Sequence, residues 1–136
     1  NIYESLSIKP KEILKSRDYV LVYENEDQIK NIKIDKDLFD KKNIDPGGVV
    51  ITAKGNNSDF VSRYFVPQCS FFEDPVTGST HCSLVPYWSK KLGKQKLKSL
   101  QLSERGGEMF CIDKGDRVLI NGKAQTYSVG EVFLKN

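Results

Sequence analysis

Apolar and polar positions change rhythm several times along this chain, and each change marks an element. Tyr19–Tyr23 reads Tyr-Val-Leu-Val-Tyr, the pattern of a buried strand. Ahead of it, Lys9–Lys15 reads as a short helix opening at Pro10. Asp27–Asn43 is charged, with Ile29, Ile32, Leu38 and Phe39 at mixed spacing, and predicts a surface helix over Lys36–Lys42. Asp45-Pro46-Gly47-Gly48 is a turn and Val49–Ala53 a strand. Gly55-Asn56-Asn57-Ser58 turns the chain again, and Phe60–Val66 is the returning strand of a hairpin.

Beyond the loop Pro67–Val76 the rhythm becomes helical. Leu84, Tyr87, Trp88 and Leu92 recur at helical spacing with Val85 adjoining, which predicts a helix over Gly78–Leu92 closed by Gly93. Pro86 lies inside it, removes one backbone bond and should loosen it there. The helix is apolar over more than one face, so it should be wrapped by sheet. The last third returns to short strands at Leu97–Ser103, Glu108–Asp113, Asp116–Asn121 and Lys123–Tyr127, the last continuing toward Leu134. Turns at Arg105-Gly106-Gly107, Lys114-Gly115 and Asn121-Gly122 separate them. Successive hairpins of this kind make an antiparallel sheet. The expected fold is α+β: a curled, mostly antiparallel, barrel-like sheet around one central helix, in a single domain over residues 1–136.

A chain of 136 residues suits one domain with a modest core. At 38 % hydrophobic and 29 % charged it has the composition of an ordinary globular protein. No apolar run approaches the ~20 residues of a membrane helix, and the start carries no signal-peptide pattern. Asn1 is not a methionine, as expected either of a fragment or of a chain whose start is processed or unresolved. Cys69, Cys82 and Cys111 are widely spaced and there is one histidine, so reduced thiols in a cytoplasmic protein are expected and a structural zinc site is not. The net charge is only +3. Lys90, Lys91, Lys94, Lys96 and Lys98 lack the exposed aromatics of a nucleic-acid module and read as a solvated surface. Neither nucleic acid nor membrane is an expected partner.

The chemistry concentrates in Glu73-Asp74-Pro75-Val76-Thr77-Gly78-Ser79-Thr80-His81. The first N–H groups of a helix lack internal partners and carry the positive end of its dipole. Gly78 lets a ligand approach the backbone, and Ser79 and Thr80 add hydroxyl donors, so a carboxylate or phosphate fits there. Asp74 lies five residues before Ser79, within reach of the same pocket through a tight turn. Asp-Pro turns followed by Ser or Thr caps also begin many helices that bind nothing, and on these residues alone both readings stay open.

The run Glu73 to Cys82, with Pro86-Tyr87-Trp88 after it, resembles the signature of the PhzF-like (phenazine biosynthesis-like) isomerase family. Arg63-Tyr64-Phe65-Val66-Pro67, Gln101 to Glu108, Gly115-Asp116-Arg117-Val118 and Gly122-Lys123-Ala124 match as well. The resemblance runs from about Val49 to the end and is weak before Pro46. It implies the diaminopimelate epimerase-like fold, two similar halves with the active site between them, of which this chain resembles the C-terminal one. The N-terminal half, which normally supplies a catalytic glutamate, has no counterpart here. By the same resemblance Asp74 is the catalytic aspartate, Gly78 and Ser79 bind the substrate, and no cofactor or metal is used. The family commonly has a glycine in the loop before Glu73. Here that loop reads Gln68-Cys69-Ser70-Phe71-Phe72, with Phe71 and Phe72 at the expected pocket mouth.

Among the other residues, His81 is expected to be structural, Glu73 to serve solvent or capping, and Leu84, Tyr87 and Trp88 to be core. Arg105 is expected in a strand-end ion pair, and Gly106 and Gly107 in a bulge. The expected function is proton-transfer isomerisation of a small carboxylated substrate, inactive without the N-terminal half. Its expected partners are that substrate and the N-terminal half, with a homodimer as a further assembly, and the alternatives are a non-catalytic anion-binding or dimerisation domain and an amino-acid epimerase or racemase. The lack of a cysteine at position 74 counts against the last.

Overall fold

The structure is a computed structural model and describes residues 2–42 and 47–134. A 3-10 turn at Ile2–Ser5 precedes β1 (Glu12–Lys15), β2 (Tyr19–Val22), α1 (Glu26–Asn31) and α2 (Lys36–Asp40). Then come β3 (Val49–Lys54), β4 (Phe60–Phe65), β5 (Glu73–Asp74) and α3 (His81–Leu92). β6 (Lys96–Gln101), β7 (Gly107–Asp113) and β8 (Val118–Asn121) follow. The strands form one sheet in the order β1-β2-β3-β4-β6-β7-β8, with β5 pairing on β4. Most pairs are antiparallel; β2–β3 and β4–β6 are parallel.

Side chains alternate between two cores, as the two-residue period of a strand requires. Leu21, Tyr23, Val49, Ile51, Ala53, Val61 and Phe65 join Ile29, Ile32 and Phe39 from the α1–α2 region. Val20, Val22, Val50, Phe60 and Tyr64 point the other way and join Leu84, Val85 and Trp88 of α3, with Leu97, Met109 and Cys111. The central strands are therefore covered on both faces, which is why Tyr19–Tyr23 carries no polar alternation. Trp88 stacks on Phe60 at 6.0 Å between ring centroids. Its indole N–H donates to Thr52 Oγ1 at 3.0 Å.

The α+β class and the mostly antiparallel sheet stand, as does the β3–β4 hairpin. The sheet is an open path ending at β1 and β8 rather than a closed barrel, and helices cover both of its faces. The short helix expected over Lys9–Lys15 is strand β1, paired from Glu12↔Val22 to Lys15↔Tyr19. So few residues cannot sustain a helix alone, whereas the β2 edge offers a ladder at once. The expected last strand at Lys123–Tyr127 does not form, and its continuation toward Leu134 is equally unpaired. Tyr127 and Val129 are 100 % and 93 % exposed, for among the described residues no strand pairs with this segment. Ahead of the helix expected over Lys36–Lys42, α1 is capped by Asn25, whose side chain accepts the Gln28 N–H. The turn read at Asp45-Pro46 lies outside the described residues. No helix of the described residues is long and apolar enough to cross a membrane.

Candidate functional site

β4, α3 and β6 form a parallel crossover unit, and the segment between β4 and α3 carries the motif singled out from the sequence. In such units ligands gather where strands end and helices begin. Here one edge of β4 forks. Phe60–Ser62 pair with β6, whereas Tyr64 and Phe65 pair with Asp74 and Glu73 of β5. The fork sets Asp74 opposite the end of β6, where Gln101 lies.

Asp74 is half-buried, and its Oδ2 accepts from Thr77 Oγ1 at 2.7 Å. Gln101, 1 % exposed, binds the loop three times. Its Oε1 accepts the Thr77 N–H at 2.8 Å, and its Nε2 donates to the Asp74 carbonyl at 2.7 Å and to Thr77 Oγ1 at 3.1 Å. Ser103 Oγ donates to the Pro75 carbonyl at 2.7 Å. Gly107 lets β7 close on this loop, since a Cβ there would overlap the Val76 side chain. The positive φ of the expected bulge falls on Gly106, at 71°.

The helix itself starts at His81, not at Gly78. Gly78–Thr80 form a tight turn in which His81 N–H donates to the Gly78 carbonyl and Cys82 N–H to that of Ser79. That turn satisfies the first helical donors and moves the free ones upstream. Among the described residues, the N–H groups of Gly78, Ser79 and Thr80 meet no acceptor. Gly78 is exposed, and a Cβ added to it would meet no atom of the chain. Arg17, from the β1–β2 turn, donates to Ser79 Oγ at 3.2 Å and pairs with Asp18 at 2.9 Å. Asp18 is 4 % exposed and also accepts from Gly48 N–H at 2.8 Å and from the Tyr64 hydroxyl at 2.9 Å. Hydrogen bonding to Asp18 raises the Arg17 pKa further, so its charge is permanent. Burial, with help from Asp18, pushes the Tyr64 hydroxyl up to about 12.

His81 is fully buried, as its structural reading requires. Nδ1 lies 2.9 Å from the Thr77 carbonyl, an acceptor only, so it carries the proton, and Nε2 accepts from Ser99 Oγ at 2.9 Å. Burial lowers its pKa. Glu73 departs from the solvent or capping duty expected of it: it takes both arms of Arg63, at 2.7 and 2.8 Å. Arg105 is not in a strand-end ion pair with any described residue. It lines a cavity of about 470 Å³ with Glu73, Pro75, Ser103 and Glu104. Gly78 and Ser79 do not line that cavity, and neither do Phe71 and Phe72. Phe72 instead packs edge-on against Phe39 at 5.5 Å, while Phe71 is exposed. Among the described residues no group of three His, Cys, Asp or Glu side chains could hold a metal ion.

The sequence reading missed Arg17, Thr77 and Gln101 as parts of this site. Thr77 lay inside the motif, but nothing in the spacing of Arg17 or Gln101 tied them to it.

The model of the phenazine biosynthesis-like protein family (PhzC-PhzF) matches residues 7–130, so the likeness extends well upstream of Val49. An uncharacterised isomerase of Pseudomonas aeruginosa is 41 % identical over 133 residues, 98 % of this chain and 51 % of its own length. One from Halalkalibacterium halodurans is 36 % identical over 136 residues, again 98 % of this chain and 51 % of its own. The crystal structure of a PhzF-family phenazine biosynthesis protein from Enterococcus faecalis superposes with a TM-score of 0.86 at 38 % identity, covering 97 % of this chain and 50 % of that one. The chain thus spans about half the length of the curated relatives it matches. With the family match running through almost every described element and the solved fold alike, this chain belongs to the phenazine biosynthesis-like (PhzC-PhzF) family.

Proposed function

We propose that this chain is the C-terminal half of a PhzF-like isomerase that moves a proton on a small carboxylated substrate, without cofactor or metal. Gly78 and Ser79 hold the carboxylate and Asp74 is the catalytic residue on this side of the cleft. The N-terminal half closes the cleft and supplies the glutamate that exchanges the proton, so the chain alone is inactive.

The observation that carries this reading is the head of α3. Three N–H groups without acceptors among the described residues lie there in sequence with an exposed glycine, and the Arg17 guanidinium reaches Ser79 in the same turn, a setting for an anion. Asp74 sits in the same loop, tied to Thr77. Relatives about twice this length are named isomerases, which supports the reaction class and the need for a second half.

The test joins this chain to its N-terminal half and offers a panel of small carboxylates in heavy water. Deuterium should enter one of them at carbon. Asp74→Asn should then slow exchange by roughly 10²–10⁴-fold, the usual worth of an acid/base group. Ser79→Ala should weaken binding by about tenfold, the loss of one charge-assisted hydrogen bond. Carboxylate binding without exchange, unchanged by Asp74→Asn, would instead make this a binding module.

A further inference from the structure

The hydrogen bonds behind Asp74 have a direction that can be read from chemistry alone. The Thr77 main-chain N–H can only donate, so the Gln101 atom 2.8 Å from it is the side-chain oxygen. The Asp74 main-chain carbonyl can only accept, so the atom 2.7 Å from it is the amide nitrogen. The orientation of the Gln101 amide is thereby fixed twice over. That nitrogen has two protons and no lone pair to offer. Its second proton goes to Thr77 Oγ1, 3.1 Å away. Thr77 then has one hydroxyl proton left to place, and Asp74 Oδ2 is 2.7 Å away. Asp74 Oδ1 receives no hydrogen bond from the described residues.

We propose that Gln101 and Thr77 are positioning residues for Asp74, forming a one-way relay that keeps Oδ2 an acceptor and leaves Oδ1 as the atom that carries the transferred proton. The proposal rests on the reading of Asp74 as the proton-handling group.

A proton on Oδ2 would have to face Thr77 Oγ1, which already accepts from Gln101. The Thr77 hydroxyl proton would then turn away. Thr77 is 6 % exposed, and no other acceptor for that proton is present among the described residues. A buried donor left unmatched is costly, so the proton belongs on Oδ1. In the transfer the glutamate of the N-terminal half takes the proton that the substrate loses, the Oδ1–H bond breaks with its electron pair staying on Asp74 as the carboxylate, and the Oδ1 proton passes to the substrate. The return step restores that bond. The loop is held while this happens by Ser103 on the Pro75 carbonyl and by Val76 against Gly107. Orientation of this kind acts on the rate of transfer rather than on binding.

The relay is testable in this chain without any substrate, by NMR on carbon- and nitrogen-labelled protein. In the parent, both Gln101 side-chain amide protons should exchange slowly with water. Thr77→Val should move the Asp74 carboxyl carbon resonance, and Thr77→Ser, which keeps the hydroxyl, should restore it. Gln101→Glu should move it as well, because a carboxyl group cannot supply both N–H donors. The cross-strand contacts of β6 and β7 report that each variant is folded. A Thr77→Val protein that folds and leaves the resonance in place overturns the proposal. So does a parent whose Gln101 amide exchanges as fast as free glutamine, a measurement that needs no variant.

In the joined two-half protein, Thr77→Val should cut kcat for deuterium exchange roughly 10- to 100-fold with KM little changed, and Thr77→Ser should recover it. Full activity of Thr77→Val on a carboxylate that the parent exchanges also overturns the proposal. If the NMR signatures hold and no carboxylate in the panel exchanges, the relay stands and the proton-transfer reading of Asp74 is what has failed.

Discussion

His81 shows how burial turns a reactive side chain into a structural one. It is fully enclosed, held between the Thr77 carbonyl and Ser99, and burial lowers its pKa. In the unfolded chain the same imidazole titrates near its ordinary value of about 6.5. As pH falls below that value the unfolded state takes up a proton that the folded state refuses. Stability should therefore be full above about pH 6.5 and decline as pH falls toward the depressed folded value. Carboxylates with lowered pKa values, such as Glu26 under the Asn56 N–H, act only below their usual 4.5. Urea midpoints at pH 7.5 and 5.5 should differ in the parent and converge in His81→Gln. At this scale the motif was legible because Glu73 to His81 is continuous in sequence. Gln101 and Arg17 were not, because they reach the loop from 24 and 62 positions away, between Gln101 and Thr77 and between Arg17 and Ser79. A contact of that separation leaves no periodicity to read.

At the scale of elements, α3 was the most legible because its apolar spacing and its terminal glycine agree. Gly93 takes the left-handed conformation, φ 66°, and its N–H closes on the Ser89 carbonyl. Gly93→Ala should cost about 1–2 kcal/mol, the penalty of a Cβ in that region. A drop in urea midpoint with an unchanged m-value would show it. No steric clash competes as an explanation, for a Cβ at Gly93 would meet nothing. The start of α3 was misplaced by three residues because Gly-Ser-Thr reads as a cap, whereas the chain uses those residues for a preceding tight turn. β1 was misassigned because Pro10 imitates a helix opening. Four residues with Ile13 and Leu14 both 43 % and 41 % exposed have no clear face, and only the neighbouring strand decides their conformation.

For the whole molecule, the sheet order could not be read from the hairpins alone. Parallel pairing of β2 with β3 and of β4 with β6 depends on crossovers, and α1 and α2 carried too mixed a pattern to announce that they cover the second face. The segment after Gly122 misled for a related reason: it alternates like a strand, but strands exist only in pairs. Tyr127, Val129, Val132, Phe133 and Leu134 are all at least 84 % exposed. Ending the chain after Lys123, which keeps the Lys123–Glu108 ion pair, should leave the unfolding free energy within about 0.5 kcal/mol of the parent, as expected for exposed groups. The same bare segment governs colloidal behaviour. An apolar, strand-prone stretch next to the open edge of β8 is a template for pairing between molecules. Light scattering by the separate chain should rise steeply with concentration, and the shortened chain should stay clear at concentrations where the parent clouds.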